Sequence, residues 1–304
     1  MSLLAFILIV LSAGFHATWN LLAKKTTMTF PFYAIICTTS CLMWLHVQLW
    51  TPVPIWNLPV SFWLCIVFTV SSDVLYCCGL IHAYRCLDMS TAYPMMRSLP
   101  LLLTAVITTA CGLGKPLTYL AMFGMFVVFC GCMSMPMKKF SDFDIRNYFT
   151  WNMFFVLVTA CGTTGYTIFD SQGQKEIMEY LTANQFQISK PVVSMSYYST
   201  RGIFLSSTLL LISMSLKEQR QILFNYVKNR DWVPVAAGVF ASLTYILVLI
   251  AMTMVTNVSY VQVFRQLGLI FGVTMGVVIL KEKCTATKIV GVALILIGLV
   301  LTVL

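Results

Sequence analysis

Ten apolar stretches, each close to the length of a bilayer-crossing helix, follow one another through the chain: 3–23, 31–50, 60–84, 89–112, 117–136, 149–169, 191–215, 232–254, 257–280 and 286–304. A hydrocarbon core takes ~20 helical residues. Lipid offers a backbone no hydrogen-bond partner but itself, so such a series must be helical. The expectation is an all-α integral membrane protein with ten transmembrane helices. Composition agrees, since 304 residues that are 59% hydrophobic and only 10% charged cannot clothe a soluble globule in a polar skin. The N-terminal stretch lacks a positive leader and a small-residue cleavage site, so it reads as an uncleaved first helix.

The net charge of +9 would point to nucleic acid in a soluble chain. Here most Lys and Arg lie in the short gaps between apolar runs, where they set orientation, and no nucleic-acid partner is read. Thirteen of them, including Lys24, Lys25, Arg85, Lys138, Lys217, Arg220, Lys228 and Lys283, fall in odd-numbered gaps. The even gaps hold Lys115, Lys175 and Lys190. The expectation is that both termini lie outside the cytoplasm. Eleven Cys are scattered without paired spacing, and three His lie far apart, so neither a disulfide framework nor a metal site is expected.

The two halves can be laid over one another. Tyr76 matches Tyr245, Asp88 matches Asn257, Arg97 matches Arg265, Gly124 matches Gly291 and Gly131 matches Gly298. In the first and sixth spans His16, Trp19 and Asn20 match Thr163, Tyr166 and Thr167. An ordered set of this kind is a repeat signal. Five helices per half is an odd number, so the second copy enters the membrane in the opposite sense. The fold expected is therefore two inverted five-helix repeats, residues 1–140 and 141–304, an architecture of many secondary transporters.

Four stretches carry a resemblance: HATWNLLAKK, AYPMMRSLPLLLTAV, VSYVQVFRQLGLIFGVTMGVVILKEK and the ending KIVGVALILIGLVLTVL. Together they make the chain resemble the ten-helix EamA-like permeases of the drug/metabolite transporter superfamily over essentially its whole length. That resemblance implies two five-helix halves around a central cavity and substrates such as amino acids, metabolites or drugs. The expected setting is an integral membrane, the bacterial cytoplasmic (inner) one. The short multidrug-exporting relatives carry a membrane Glu eight residues before the Lys that ends the first helix. Here that position is His16, and the second half offers Thr163, so proton-coupled export of lipophilic cations is disfavoured. An acidic residue expected after the fourth helix is replaced around Lys115, whereas Glu282 fits the second-half position.

Arg97 and Arg265 each sit about eight residues into a span, roughly 10 Å from its start. An Arg at such depth costs ~2.5–3.5 kcal/mol on insertion scales and usually faces a partner or a cavity. One reading is a structural salt bridge to Asp73, the acid near the middle of a span. The other is an anionic or zwitterionic substrate, because Asp73 cannot neutralise both arginines and a guanidinium fork suits carboxylate, phosphate or phosphonate. His16, Trp19, Asn20 and Ala23 share one helical face, as do Thr163, Tyr166, Thr167 and Asp170. Such stripes either bond neighbouring helices or line a cavity. Cavity roles are expected for Tyr76 and Tyr245, interfacial roles for Tyr93 and Tyr260. Tyr197, Tyr198 and Arg201 share the seventh span, and His82 and Arg85 read as a pair at headgroup level. Gly268, Gly272 and Gly276 allow close helix approach, as do Gly291 and Gly298.

The candidate substrate-binding set is thus Arg97, Arg265, His16, Trp19, Asn20, Asp73, Tyr76, Tyr166, Tyr245 and Arg201. No Walker loop, nucleophile elbow or catalytic carboxylate pair appears, so no cofactor and no enzymatic activity is expected. The function expected is secondary transport of a small organic metabolite by alternating access, by a monomer or homodimer. The alternative is a membrane-embedded enzyme or lipid-handling protein acting on a headgroup.

Overall fold

A computed structural model describes residues 2–304 except 24, 25, 88, 136, 138, 143, 145, 147–149, 279, 280 and 282. Its helices are α1 (Leu3–Ala23), α2 (Phe30–Leu45), α3 (Val47–Trp50), α4 (Val60–Cys86), α5 (Met89–Ala110), α6 (Tyr119–Ser134), α7 (Met153–Ala183), α8 (Lys190–Ser215), α9 (Lys217–Lys228), α10 (Val233–Met252), α11 (Ser259–Phe264), α12 (Leu267–Val278) and α13 (Ala286–Val303). No strand occurs among the described residues. Several helix starts are written locally. The hydroxyls of Thr29, Thr118 and Thr285 accept from backbone N–H groups three residues on, satisfying donors that a helix leaves orphaned.

Among the described residues, seven helical stretches are long and apolar enough to cross a membrane, and an eighth is added if the bent pair α8–α9 counts as one. Met95–Ala110 and Tyr119–Ser134 are shorter apolar helices. Leu11, Leu64, Val67, Val106, Phe123, Ile289 and Val300 are exposed along their flanks. An apolar surface of that extent needs lipid. The chain is an integral membrane protein.

The helices depart from expectation in three places. The polar stretch 170–190, expected as a connection, largely continues α7, which is 31 residues long. Its period survives in Asp170, Gly173, Gln174, Ile177 and Leu181, all buried. The seventh gap forms α9, which turns 112° from α8 and buries Gln219 and Leu223 while exposing Lys217, Arg220, Phe224, Val227 and Lys228. The ninth span breaks into α11 and α12 at Arg265 and Gln266. Lys24, Lys25, Asp88, Lys138 and Glu282, and the side chains of Ala23 and Tyr93, lie outside what is described. Tyr260, expected at the interface, is half-buried against the main core.

The most extensive packing runs between the two halves of the chain: α4 along α7, α6 along α13, α1 along α10 and α2 along α8. The α6–α13 crossing is backbone against backbone. A Cβ at Gly298 would lie 2.6 Å from the Gly124 carbonyl oxygen, and one at Gly291 would lie 2.8 Å from that of Gly131. These glycines therefore serve packing inside the bundle. Gly272 does not: no described atom lies within 4 Å of a Cβ built there, so no helix of the bundle approaches closely at that position.

Adding a side chain at the crossing must push two helices apart, whereas adding one at Gly272 only relieves a helix of a flexible residue, ~0.8–1 kcal/mol. Gly298→Val is expected to lower the melting temperature of the detergent-solubilised protein sharply and broaden its size-exclusion peak. Gly272→Ala should melt at or above wild type.

Candidate functional site

Arg201 lies one turn after Tyr197 on α8 and is almost wholly buried. Its Nη2 is 2.6 Å from Asp73 Oδ2 on α4, and its Nε is 3.3 Å from Asp170 Oδ1 on α7. Tyr197 donates to Asp170 Oδ1 at 2.7 Å, and Tyr245 of α10 donates to Asp170 Oδ2. The guanidinium carbon sits 4.7 Å from the centre of the Tyr245 ring. One cation thus holds two carboxylates from adjacent helices, and two phenols complete the shell, as buried charges require. This corrects the expected pairing of Asp73 with Arg97 or Arg265. It also corrects the view of Asp73 as the central acid: because α7 runs on past 169, Asp170 is equally internal. The stripe Thr163, Tyr166, Thr167, Asp170 was the signal for it.

Arg97 and Arg265 have no carboxylate within 4 Å among the described residues, whose ion pairs are those of Arg201 and an exposed Lys175–Glu179 pair. Arg97 Nη1 lies 3.0 Å from His16 Nε2, and its Nη2 donates to the Arg265 carbonyl at 3.2 Å. Its Nε is buried and finds no partner among the described residues. Trp19 Nε1 donates to His16 Nδ1 at 3.0 Å. Arg265 Nη1 donates to Gln262 Oε1 at 3.2 Å, and its guanidinium lies 5.8 Å from the Tyr245 ring centre.

The helix break makes this cluster. At Arg265 and Gln266 the backbone turns through three-residue hydrogen bonds, Gly268 N–H to the Arg265 carbonyl at 3.1 Å and Leu269 N–H to that of Gln266 at 2.9 Å. The same Arg265 carbonyl then receives Arg97, while Gln266 Nε2 donates back to the Arg97 carbonyl at 3.0 Å. A Cβ at Gly268 would sit 3.4 Å from Arg97 Nη2, so the glycine leaves the guanidinium its room.

Two adjoining cavities of about 60 and 150 Å³ open among these groups. A single water needs ~10–15 Å³. The smaller is lined by Arg97, Asn20, Thr163, Gln262 and Gln266, the larger by Asp73, Arg201 and Tyr245. His16, Trp19, Tyr76, Tyr166 and Arg265 line both, so every candidate named from the sequence faces one cavity or the other. Sequence reasoning missed Tyr33, shared by both cavities, Ser40 beside the larger one, and Gln262 and Gln266. The glutamines flank Arg265 within one turn, and that spacing was the available clue. The two helical stripes divide: Thr163 and Tyr166 line the smaller cavity, whereas Thr167 is buried and donates to its own helix at 2.7 Å. Aromatic rings form a row from Tyr33 through Tyr76, Tyr166 and Tyr245 to Tyr198, with centroids 5.9 to 6.4 Å apart. His82 stands apart, stacked on Phe155 with Nδ1 2.8 Å from the Cys78 carbonyl oxygen. No group of three metal-ligating side chains occurs among the described residues.

Two kinds of arginine therefore share one region. Arg201 is neutralised and holds helices together, while Arg97 and Arg265 face space. Breaking a buried pair by removing one partner costs ~3–5 kcal/mol. Arg201→Leu is expected to lower the melting temperature strongly, and Arg97→Leu and Arg265→Leu far less. Equal losses from all three would contradict this division.

No curated protein matches the chain. Among 27 matching chains of solved structures, one titled "Crystal structure of protein" is 14% identical, with 98% of this chain and 94% of that one covered at a TM-score of 0.67, so the fold is shared. Residues 180–304, which carry α8 to α13 and with them Arg201, Tyr245 and Arg265, match the EamA-like transporter family, consistent with the drug/metabolite transporter superfamily.

Proposed function

We propose that this integral membrane protein is a secondary transporter of small anionic or zwitterionic metabolites, working by alternating access around the two joined cavities. The observation that carries this reading is the pair Arg97 and Arg265: two guanidiniums with no carboxylate within 4 Å among the described residues, facing an aromatic-lined space. Intramembrane charge that no neighbouring carboxylate neutralises is read by default as part of a substrate pathway. The family match supports transport over enzymatic activity.

Ten spans in two inverted five-helix repeats, residues 1–140 and 141–304, suit the packing. Exchange of the halves turns the α1–α10 contact into the α7–α4 contact and leaves α2–α8, α5–α11 and α6–α13 paired with themselves. The same exchange turns the Gly124–Gly298 contact into Gly291–Gly131. A self-reciprocal contact set of this kind is what a two-fold relation produces. Arg97 and Arg265 then occupy equivalent places in the two halves. Short α6 and the break between α11 and α12 fit this scheme, since non-helical backbone at depth is tolerated where it lines a cavity.

Counterflow in reconstituted vesicles tests the reading. Labelled organic anions and amino acids should show saturable exchange against an internal pool, and Arg97→Ala and Arg265→Ala should each abolish it while the protein remains inserted and monodisperse. Chemical conversion of a headgroup substrate without counterflow, or wild-type exchange by both variants, would overturn it.

A further inference from the structure

We propose that the smaller cavity binds a doubly charged phosphoryl or phosphonyl group, seated among Arg97, His16 and Arg265; the inference rests on the transporter reading for the role of the cavity. The hydrogen-bond inventory around His16 is the starting point. Its Nδ1 receives the indole N–H of Trp19, a group that can only donate. A neutral imidazole with an unprotonated Nδ1 carries its hydrogen on Nε2, and Nε2 faces Arg97 Nη1, which also can only donate. No neutral tautomer satisfies both neighbours. An acceptor oxygen in the cavity, toward which both N–H groups turn, replaces a donor-against-donor contact with two donated hydrogen bonds.

Charge points the same way. Among the described residues neither Asp nor Glu lines the smaller cavity, while Arg97 and Arg265 both do. A monocarboxylate would engage one of these two guanidiniums and leave the other without an anionic partner at its own distance. A dianion can engage both. A tetrahedral phosphoryl group also presents three terminal oxygens, one for each of Arg97, His16 and Arg265, and guanidinium forks match that geometry. The buried Nε of Arg97, without a partner among the described residues, adds a further donor.

A zwitterion is served less well. Its ammonium would seek a carboxylate, and among the described residues the one lining either cavity is Asp73, already 2.6 Å from Arg201. Gln266 offers something different: its Nε2 is committed to two backbone carbonyls, which leaves Oε1 buried, unpartnered among the described residues and suited to a ligand hydroxyl. The larger cavity, with Tyr33, Tyr166 and Tyr198 on its walls, would take the organic remainder.

The test is thermal unfolding of the purified full-length chain titrated with inorganic phosphate, methylphosphonate, acetate or glycine, at a pH where the first two are doubly charged. Phosphate and methylphosphonate should raise the melting temperature saturably, at concentrations about tenfold below those acetate or glycine require. Arg97→Gln and Arg265→Gln should each weaken that half-maximal concentration about tenfold, or ~1.4 kcal/mol, and Arg97→Lys should retain part of the binding. Equal responses to acetate or glycine, or a phosphate response unchanged in Arg97→Gln and Arg265→Gln, would overturn the inference while leaving counterflow, and so the transporter reading, intact. Short-chain phosphatidic acid separates the sources of such a group: stabilisation by it alone would assign the site to a lipid headgroup and overturn a soluble substrate.

Discussion

Three charges buried among membrane helices need one another, and the Arg201 cluster supplies the arrangement on which the rest of the site depends. Asp73, Asp170 and Arg201 come from α4, α7 and α8, and Tyr245 adds α10. Taking any of these ions out of water costs several kcal/mol after relaxation, so the geometry must hold all of them at once. That requirement fixes the relative depth of four helices. It also decides the fate of the other two arginines, because the carboxylates are already taken.

The second constraint is distance between helices. Lipid tails are as apolar as the side chains they meet, so association rests on close packing rather than on water exclusion. The glycine pairs of α6 and α13 meet this by backbone contact. The α4–α7 crossing does the same through Gly162, where a Cβ would come 2.5 Å from the Tyr76 nitrogen. Tyr76 and Tyr166 are thereby held on adjoining walls of the cavities, ring centres 6.0 Å apart. Packing and site are coupled through the same crossing.

Much of the site was legible in the sequence because membrane insertion makes polar residues conspicuous. His16, Asn20, Asp73, Arg97, Arg201 and Arg265 stand out in apolar runs, and each lines a cavity. The partners were not legible. Whether Asp73 meets Arg97, Arg265 or Arg201 depends on which helix packs beside α4, and sequence spacing carries no information about that. Asp170 was legible as a member of the face it shares with Thr163, Tyr166 and Thr167, but not as part of the helical interior. Its surroundings are polar enough to read as a loop, and only packing of that polar turn against Tyr197 and Arg201 makes it helical interior.

The sequence by itself determined that the chain lives in a bilayer, that it is helical, where most helices begin and end, and which charged residues lie deep. Those follow from local composition and from the demand that backbone in lipid bond to itself. Tertiary structure alone decided which arginine is neutralised and which is left facing the cavity, and that α12 departs from α11 at Arg265 so that a backbone carbonyl meets Arg97. Charge pairing is a matter of a few ångströms between residues as much as 128 positions apart. Distance of that kind is set by the packing of whole helices and is written in no single one of them.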